Sequence, residues 1–180
     1  FPKTKILKID KESAKTNAGA IKIIKNFENE EGAILIGTEM AFHYMTRKVD
    51  LSIIASFDSL WSIPNFKMSE KILHIIFSTI SNTTKKLVIQ TKNEKDEILK
   101  SINNESILNF VREELQDRKN LNYPPYKRFI KISYIGDKES TYVAKKELQE
   151  TFKEYNPEIF GGFVAKLNNK FVTHMLIKID

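Results

Sequence analysis

The chain has 180 residues, of which 41% are hydrophobic, and it carries a formal net charge of +6. This length accommodates one large domain or two small ones, each with its own core. The absence of cysteine excludes disulfides, thiol catalysis and thiolate metal sites, and no apolar run approaches the roughly 20 residues that a membrane-spanning helix needs.

The first half of the sequence alternates strand-like and helix-like segments. The first predicted helix, 17–28, has Ile21, Ile24 and Phe27 at helical spacing. Two continuous apolar runs of strand length are typical of strands buried on both faces. The predicted strands are 5–9, 33–36, 51–55 and 87–90, with the apolar runs at 33–36 and 51–55, and the second predicted helix is 65–78. This alternation predicts a parallel α/β layer.

The character of the sequence changes near Thr91. Residues 94–120 are charged and predict two helices with a break at Asn103-Asn104. The paired prolines of Tyr123-Pro124-Pro125-Tyr126 end any helix, because they lack donors and push the preceding residue into an extended conformation. An α+β pattern follows, with strands at 128–135, 160–167 and 171–179 and a helix at 139–155 that turns Val143, Leu148 and Phe152 inward. Asn168-Asn169 predicts a hairpin turn, since asparagine tolerates a positive φ.

Positive charge is concentrated in the first half of the chain. Residues 1–92 contain 14 Lys/Arg and 9 Asp/Glu, whereas residues 93–180 contain 15 and 14. A basic half is compatible with contact to phosphates. A solubilising lysine surface is the alternative interpretation of the same charges.

No pattern in the sequence indicates a metal site or export. His43, His74 and His174 are scattered and lack the spacing of metal ligands. The first ten residues lack the apolar stretch of a signal peptide. We therefore expect a cytoplasmic protein with no metal site, no cofactor in this chain and no membrane partner.

Basic and aromatic residues cluster around the paired prolines. The candidates for DNA contact are Arg118, Lys119, Tyr126, Lys127 and Arg128. Such a cluster can clamp backbone phosphates while an aromatic ring stacks on a base. The alternative is an interdomain brace, in which Tyr123 and Tyr126 pack against the helical segment before them. Trp61 has the same two interpretations, as a packing anchor or as a base-stacking platform.

Several stretches, in order along the chain, are similar to signature segments of one family. They are Phe1-Pro2 with Lys8-Ile9-Asp10, Ala33-Ile34-Leu35-Ile36-Gly37-Thr38-Glu39-Met40, Pro64-Asn65-Phe66-Lys67 with Glu70-Lys71, Val88-Ile89-Gln90-Thr91, and Tyr123-Pro124-Pro125-Tyr126. In that order they resemble FP…R-x-D, the motif V segment D-I-L-x-G-T-Q-M, P-D-F-R-A-x-E-R, the end of the second motor lobe, and Y-P-P-F. These segments belong to the primosomal protein N-prime family (PriA), superfamily-two DNA helicases that reload the replication machinery at stalled forks.

The resemblance implies a division into three parts. Residues 1–92 would be a RecA-like parallel-sheet helicase lobe, the second of the motor, and 93–122 a helical connector. Residues 123–180 would be a smaller α+β C-terminal domain, incomplete relative to the family. The implied partners are branched or single-stranded DNA, together with single-strand-binding protein and other primosome proteins. The family's ATP, magnesium and zinc would bind through regions that this sequence lacks.

The same alignment indicates that the motor's chemistry is lost. No GxxxxGK[ST] phosphate loop occurs in the sequence. The family's arginine-bearing motif VI falls on 78–85, where Asn82 and Lys85 occupy the arginine positions. An arginine finger contributes on the order of 10³–10⁵ in rate, and a lysine cannot reproduce its planar fork. Gly37, Thr38 and Lys85 are therefore at most a remnant nucleotide site, and a strand-end turn is the alternative for the first two.

We therefore expect a DNA-binding or scaffolding module in replication restart, with no catalytic residue and no ATPase activity of its own. Apolar residues of the predicted strands are retained, which indicates a preserved scaffold. The rival hypothesis is one lobe of an active ATP-dependent 3′–5′ DNA helicase whose ATP-binding first lobe lies outside this chain. A third is a structural subunit without a nucleic-acid partner.

Overall fold

A computed structural model describes residues 4–62 and 65–180, without the side chains of 163–167. The sequence segments at Phe1-Pro2 and Pro64 thus lie outside the described residues. The chain divides into two compact units, Phe1–Lys100 and Ser101–Asp180. Within the described residues, no helix is both long enough and apolar enough to cross a membrane.

The first unit contains two pairs of parallel strands. β1 pairs with β2, and β3 pairs with β4, as the alternating sequence predicts. Thr16 begins α1, because its Oγ1 accepts a hydrogen bond from the Gly19 amide at 3.1 Å. The elements are β1 (Ile6–Ile9), α1 (Asn17–Glu28), β2 (Ile34–Gly37), β3 (Val49–Ile54), α2 (Met68–Ser81) and β4 (Thr83–Ile89), with 3-10 helices at Glu39–His43 and Phe57–Ser62.

The best-defined core of the first unit lies between α1 and the β1–β2 pair. Ile9 of β1 and Ile24 of α1 are fully buried there. Leu35 of β2 packs against the same cluster. The alternation of strand side chains thus sends one row toward α1, which fixes the register of the pair.

The predicted burial of the apolar strands on both faces is wrong. Ile34 and Ile36 of β2 are exposed, as are Leu51 and Ile53 of β3, the last at 61%. Val88, which pairs with Ile53, is also partly exposed. The physical reason is that the strands form two separate pairs. The described helices cover the face of each pair that lies opposite these exposed side chains. Ile21 is likewise exposed, because α1 turns Ala20 and Ile24 inward instead.

The second unit contains an antiparallel three-stranded sheet with the order β5-β7-β6. Asn168 and Asn169 have φ values of 50° and 64°, which confirms the predicted hairpin turn between β6 and β7. The predicted helix break near Asn103 is also confirmed. The elements are α3 (Glu97–Asn103), which crosses the division between the units, α4 (Ile107–Asn120), β5 (Arg128–Gly136), α5 (Lys138–Thr151), β6 (Glu158–Leu167) and β7 (Lys170–Ile179), with a 3-10 helix at Lys153–Tyr155.

Helix α5 covers one face of this sheet. Met175 and Ile177 of β7 are buried on that face, and Ala144 is the buried residue of α5. The prediction that Val143 faces inward is wrong, because Val143 is 52% exposed. Its neighbour Ala144 takes the inward position, and successive helical residues point about 100° apart.

The Glu28 carboxylate joins the end of α1 to the segment before β3. It accepts hydrogen bonds from the Thr46 amide at 2.7 Å, the Thr46 hydroxyl at 2.7 Å and the Arg47 amide at 3.0 Å. Partial burial opposes the charge, but these bonds lower the pKa of Glu28 below its ordinary 4.5. Its stabilising effect is therefore present above pH 4.5 and is lost as the pH falls toward the lowered value.

We expect the thermal midpoint of the first unit to fall as the pH drops below about 4.5. Glu28→Gln should lower the midpoint at pH 7 and make it depend less on pH over this range. Thermal unfolding followed by circular dichroism at several pH values measures both effects. The wild-type pH profile in the Glu28→Gln protein would show that this carboxylate is not responsible.

Candidate nucleic-acid interface

The predicted basic cluster lies on the turn segment, defined here as residues 118–128, which joins α4 to β5. Arg118 is buried, and its Nη2 atom lies 3.0 Å from Oε1 of Glu114. Its carbonyl oxygen accepts a hydrogen bond from the Tyr123 amide at 2.7 Å. These contacts tie Arg118 to α4 and to the turn, which favours a bracing role for this residue.

The other members of the cluster are more accessible. Lys119 is exposed in the last turn of α4, Tyr126 is 44% exposed, and Arg128 is exposed as the first residue of β5. Lys127 forms an ion pair with Asp180, the residue that follows β7, and this pairing lowers the pKa of Asp180. Lys127 and Arg128 thus lie at the edge of the sheet where β5 begins and β7 ends.

An aromatic and cationic group lies beside the turn segment. The Tyr123 and Phe129 rings meet edge to face, with centroids 5.2 Å apart. The Lys178 ammonium lies 5.1 Å from the Tyr123 centroid and 5.9 Å from that of Phe129, and it also pairs with Glu158 at 2.8 Å. Sequence reasoning missed Phe129 and Lys178, because their proximity depends on the register between β5 and β7.

The sheet face opposite α5 carries a second row of polar and aromatic side chains. Since strand residues alternate between faces, the partners of the buried Met175 row point toward α5 and the others point away. We call this surface the open face. Its described members are Phe129, Lys131, Ser133 and Ile135 of β5, Val172, His174, Leu176 and Lys178 of β7, and Glu158 and Phe160 of β6.

Three side chains form a row across the middle of the open face. His174 lies opposite Ser133 on one side and Phe160 on the other. The Ser133 hydroxyl oxygen is 2.8 Å from His174 Nδ1, and the Phe160 and His174 rings are 5.6 Å apart. Burial, and after it the charge of Lys131, lowers the pKa of His174. The imidazole is therefore neutral at neutral pH.

The residues of the predicted remnant nucleotide site, Gly37, Thr38 and Lys85, are distributed over both strand pairs of the first unit. A Cβ atom on Gly37 would lie 2.6 Å from Cγ2 of Ile9, so the close packing of β1 against β2 requires glycine there. The Thr38 amide donates to the Ile9 carbonyl at 3.3 Å. Lys85 of β4 lies 2.6 Å from Asp50 of β3, and both side chains are exposed. These contacts give each of the three residues a structural role.

The segment aligned with motif VI forms the junction between α2 and β4. The Asn82 side-chain amide donates to the Ser78 carbonyl at 2.9 Å, at the end of α2. The Thr83 hydroxyl donates to the Thr79 carbonyl at 2.6 Å and lies 2.7 Å from the Ser52 hydroxyl. This junction is therefore held by side chains that cap the helix and join neighbouring strands.

Trp61 anchors the first unit through a hydrogen bond. Its indole nitrogen donates to Oδ2 of Asp96 at 3.1 Å, and Oδ1 of Asp96 accepts from the Ile98 and Leu99 amides at the start of α3. This arrangement supports the packing-anchor interpretation over base stacking. In the described part of the chain, no group of three His, Asp or Glu residues is arranged to hold a metal ion.

Comparison with known proteins identifies the relatives of this chain. A protein of Borreliella burgdorferi named Replication restart protein PriA is 33% identical over 166 residues, which cover 86% of this chain and 24% of that protein. The resemblance to the PriA family is confirmed. Proteins of the same name from Thermotoga maritima and Rickettsia typhi are 26% and 28% identical over the whole of this chain and over 25% and 29% of their own lengths. No protein-family model matches the chain.

The chain spans about a quarter of the length of the PriA proteins that it matches. What the similarity shows is therefore that residues 1–180 correspond to one part of a PriA protein. The mixed fold, with parallel strand pairs followed by an antiparallel sheet, is compatible with this correspondence.

Proposed function

We propose that this chain is the C-terminal part of a PriA-like replication restart protein and that it contacts DNA without hydrolysing ATP itself. In this proposal, residues 1–92 are a RecA-like second motor lobe and residues 123–180 a C-terminal domain. Branched or single-stranded DNA is the principal partner, and single-strand-binding protein and other primosome proteins are further partners. The similarity to proteins named for replication restart, over the whole length of this chain, is the observation that carries the proposal.

The accessible basic residues of the turn segment support the DNA-binding part of the proposal. Lys119 and Arg128 are exposed, and Lys127 pairs with the side-chain carboxylate of Asp180, which is exposed at 96%. A phosphate could replace Asp180 as the partner of Lys127 at small cost, because exposed ion pairs contribute only about 0–1 kcal/mol. Tyr126 lies next to them with an accessible ring.

The motif VI segment supports the part of the proposal that concerns ATP. Of the two positions that align with the motif VI arginines, only Lys85 carries a cation, and its ammonium lacks the planar fork of a guanidinium. Asn82 uses its side chain to cap α2. Neither side chain is therefore disposed to stabilise charge on a transferred phosphate.

Replacing both Lys127 and Arg128 with alanine should weaken binding to forked DNA and reduce its salt dependence. Each lost phosphate contact should reduce the slope of log K against log salt by roughly 0.7–0.9. Fluorescence anisotropy of a labelled fork over a salt series measures this slope. The matched control is Lys145→Ala with Lys146→Ala, which removes the same charge from helix α5.

Equal effects of the two double variants would indicate general electrostatic attraction and would contradict a specific contact at the turn segment. An unchanged slope in the Lys127 and Arg128 variant would assign DNA contact to other residues.

The rival function is one lobe of an active ATP-dependent DNA helicase. The observation in its favour is that the matched PriA proteins are about four times as long as the matched segment, which leaves room for an ATP-binding lobe. Gly37, Thr38 and Lys85 would then contribute to a nucleotide site shared with that lobe. DNA-stimulated ATP hydrolysis by a longer polypeptide that contains this chain, lost on Lys85→Ala, would favour this alternative.

A further inference from the structure

We propose that the open face of the second unit is a binding site for single-stranded nucleic acid, in which a base stacks on the Phe160 ring beside His174 while Lys131 contacts the adjoining phosphate. This inference rests on the proposed DNA-binding function and assigns it to particular side chains. It concerns a surface that adjoins the turn segment, because Phe129 and Lys178 of the open face contact Tyr123.

The accessibility of the aromatic side chains is the first argument. Phe160 is 43% exposed, although it lies in the sheet and not in a loop, and its ring is 5.6 Å from that of His174. The planes of the two rings are tilted 53° to each other, so the exposed Phe160 ring is the stacking surface and His174 lies beside it. Stacking on an exposed ring is tolerant of sequence, because every base has a π face.

The neutral state of His174 is the second argument. Its pKa is lowered by burial and by Lys131, so the ring is uncharged at neutral pH and can stack as an aromatic surface. The Ser133 hydroxyl bonds to Nδ1 and holds the ring in place from β5. Among the described side chains of this face, the other charged groups are Lys178 and Glu158, which pair with each other.

The position of Lys131 is the third argument. Lys131 is exposed on β5, two residues from Ser133, which in a strand corresponds to about 6.8 Å along the sheet. With Lys178 and Glu158 paired, Lys131 gives the described open face a net positive charge beside the aromatic row. A cation beside a stacking platform is the combination that single-stranded nucleic acid requires, with the phosphate and the base each given a partner.

A single strand fits this face better than a duplex. Stacking on Phe160 needs an unpaired base whose face is accessible, whereas a duplex encloses its base faces. The described open face bears only one carboxylate, Glu158, which pairs with Lys178. It therefore offers little repulsion to a phosphate backbone.

The test measures binding of a labelled oligothymidine and of a labelled duplex of the same length by fluorescence anisotropy. Phe160→Ala should weaken binding of the oligothymidine by about 5- to 150-fold, the loss expected for one stacked base. Its binding to the duplex should change little. Phe160→Tyr should retain the wild-type affinity, since it keeps the ring, and Lys131→Ala should weaken single-strand binding and reduce its salt slope by about 0.7.

Matched controls lie on α5, on the other side of the sheet. Tyr142→Ala removes a 59% exposed aromatic ring there, and Lys145→Ala removes an exposed cation. Both should bind as the wild type does. Thermal unfolding of the Phe160→Ala protein provides the check that its fold is retained.

The outcomes separate this inference from the proposed function. Wild-type DNA binding that survives Phe160→Ala and Lys131→Ala would overturn the open-face site and leave the proposed function standing. Equal losses for Phe160→Ala and Tyr142→Ala would also overturn it. A folded wild-type protein that binds neither oligonucleotide would overturn both.

Discussion

Replacement of Ile24 by alanine should lower the free energy of unfolding of the first unit by about 2–5 kcal/mol. Ile24 is 1% exposed and lies in the cluster that joins α1 to β1. The truncation removes buried methyl groups and leaves a cavity beside Ile9, which a helix held at both ends can fill only in part. Denaturant unfolding followed by circular dichroism measures the loss.

The matched control is Ile36→Ala on β2. The side chain of Ile36 is 56% exposed on the opposite side of the same strand pair, so its truncation should cost less than about 1 kcal/mol. Equal losses at the two positions would mean that the exposed strand face is covered in solution. That result would contradict the arrangement of the β1–β2 pair described above.

Replacement of Met175 by alanine should destabilise the second unit by a similar amount, about 2–5 kcal/mol. Met175 is fully buried in β7, the central strand of the sheet, where it lies opposite Ile132 of β5 and Ile159 of β6. A cavity at this position removes contacts between all three strands and α5. Hydrogen exchange of the β5 and β7 amides, together with denaturant unfolding, measures the effect.

The control for Met175 is Phe160→Ala, which lies on the open face of the same sheet. We expect this variant to lose much less stability than Met175→Ala, because its ring is already partly hydrated. If Phe160→Ala were as destabilising as Met175→Ala, Phe160 would be a core residue and the open face would not be open.

Local sequence signals predicted most of the secondary structure. The helical spacing of Ile21, Ile24 and Phe27 predicted α1 at residues 17–28, which the helix occupies, and the cap that the structure shows at Thr16 is also a contact between residues close in sequence. The asparagine pair at 168–169 likewise determines its turn locally. β4 was predicted too short, since its first residues, Thr83 to Lys86, are polar and are held by bonds to Asp50 and Ser52.

Burial was harder to predict than secondary structure. An apolar run such as Ile34-Leu35-Ile36 predicts a strand, but it does not say which layers cover that strand. In this structure Leu35 packs against the α1 cluster, and its two neighbours are exposed. Which elements cover a strand depends on how distant parts of the chain pack. The spacing of apolar residues along the strand carries no information about that packing.

The candidate site was predicted only where it is local in sequence. The turn segment was found because its basic and aromatic residues are adjacent along the chain. The row of Ser133, His174 and Phe160 was not, because the three residues come from three strands and meet only through the register of the sheet. The sequence signal that could have found this face is the alternation of side chains along β5. Phe129 and Lys131 occupy alternate positions of that strand and therefore lie on the same face of it.

Binding of the wild-type chain to a labelled DNA fork over a salt series decides whether this chain contacts DNA. We expect an association constant whose logarithm falls linearly with the logarithm of the salt concentration, because phosphate contacts release counterions. A folded protein that binds no fork even at low salt would contradict the claim that this PriA-like chain contacts DNA.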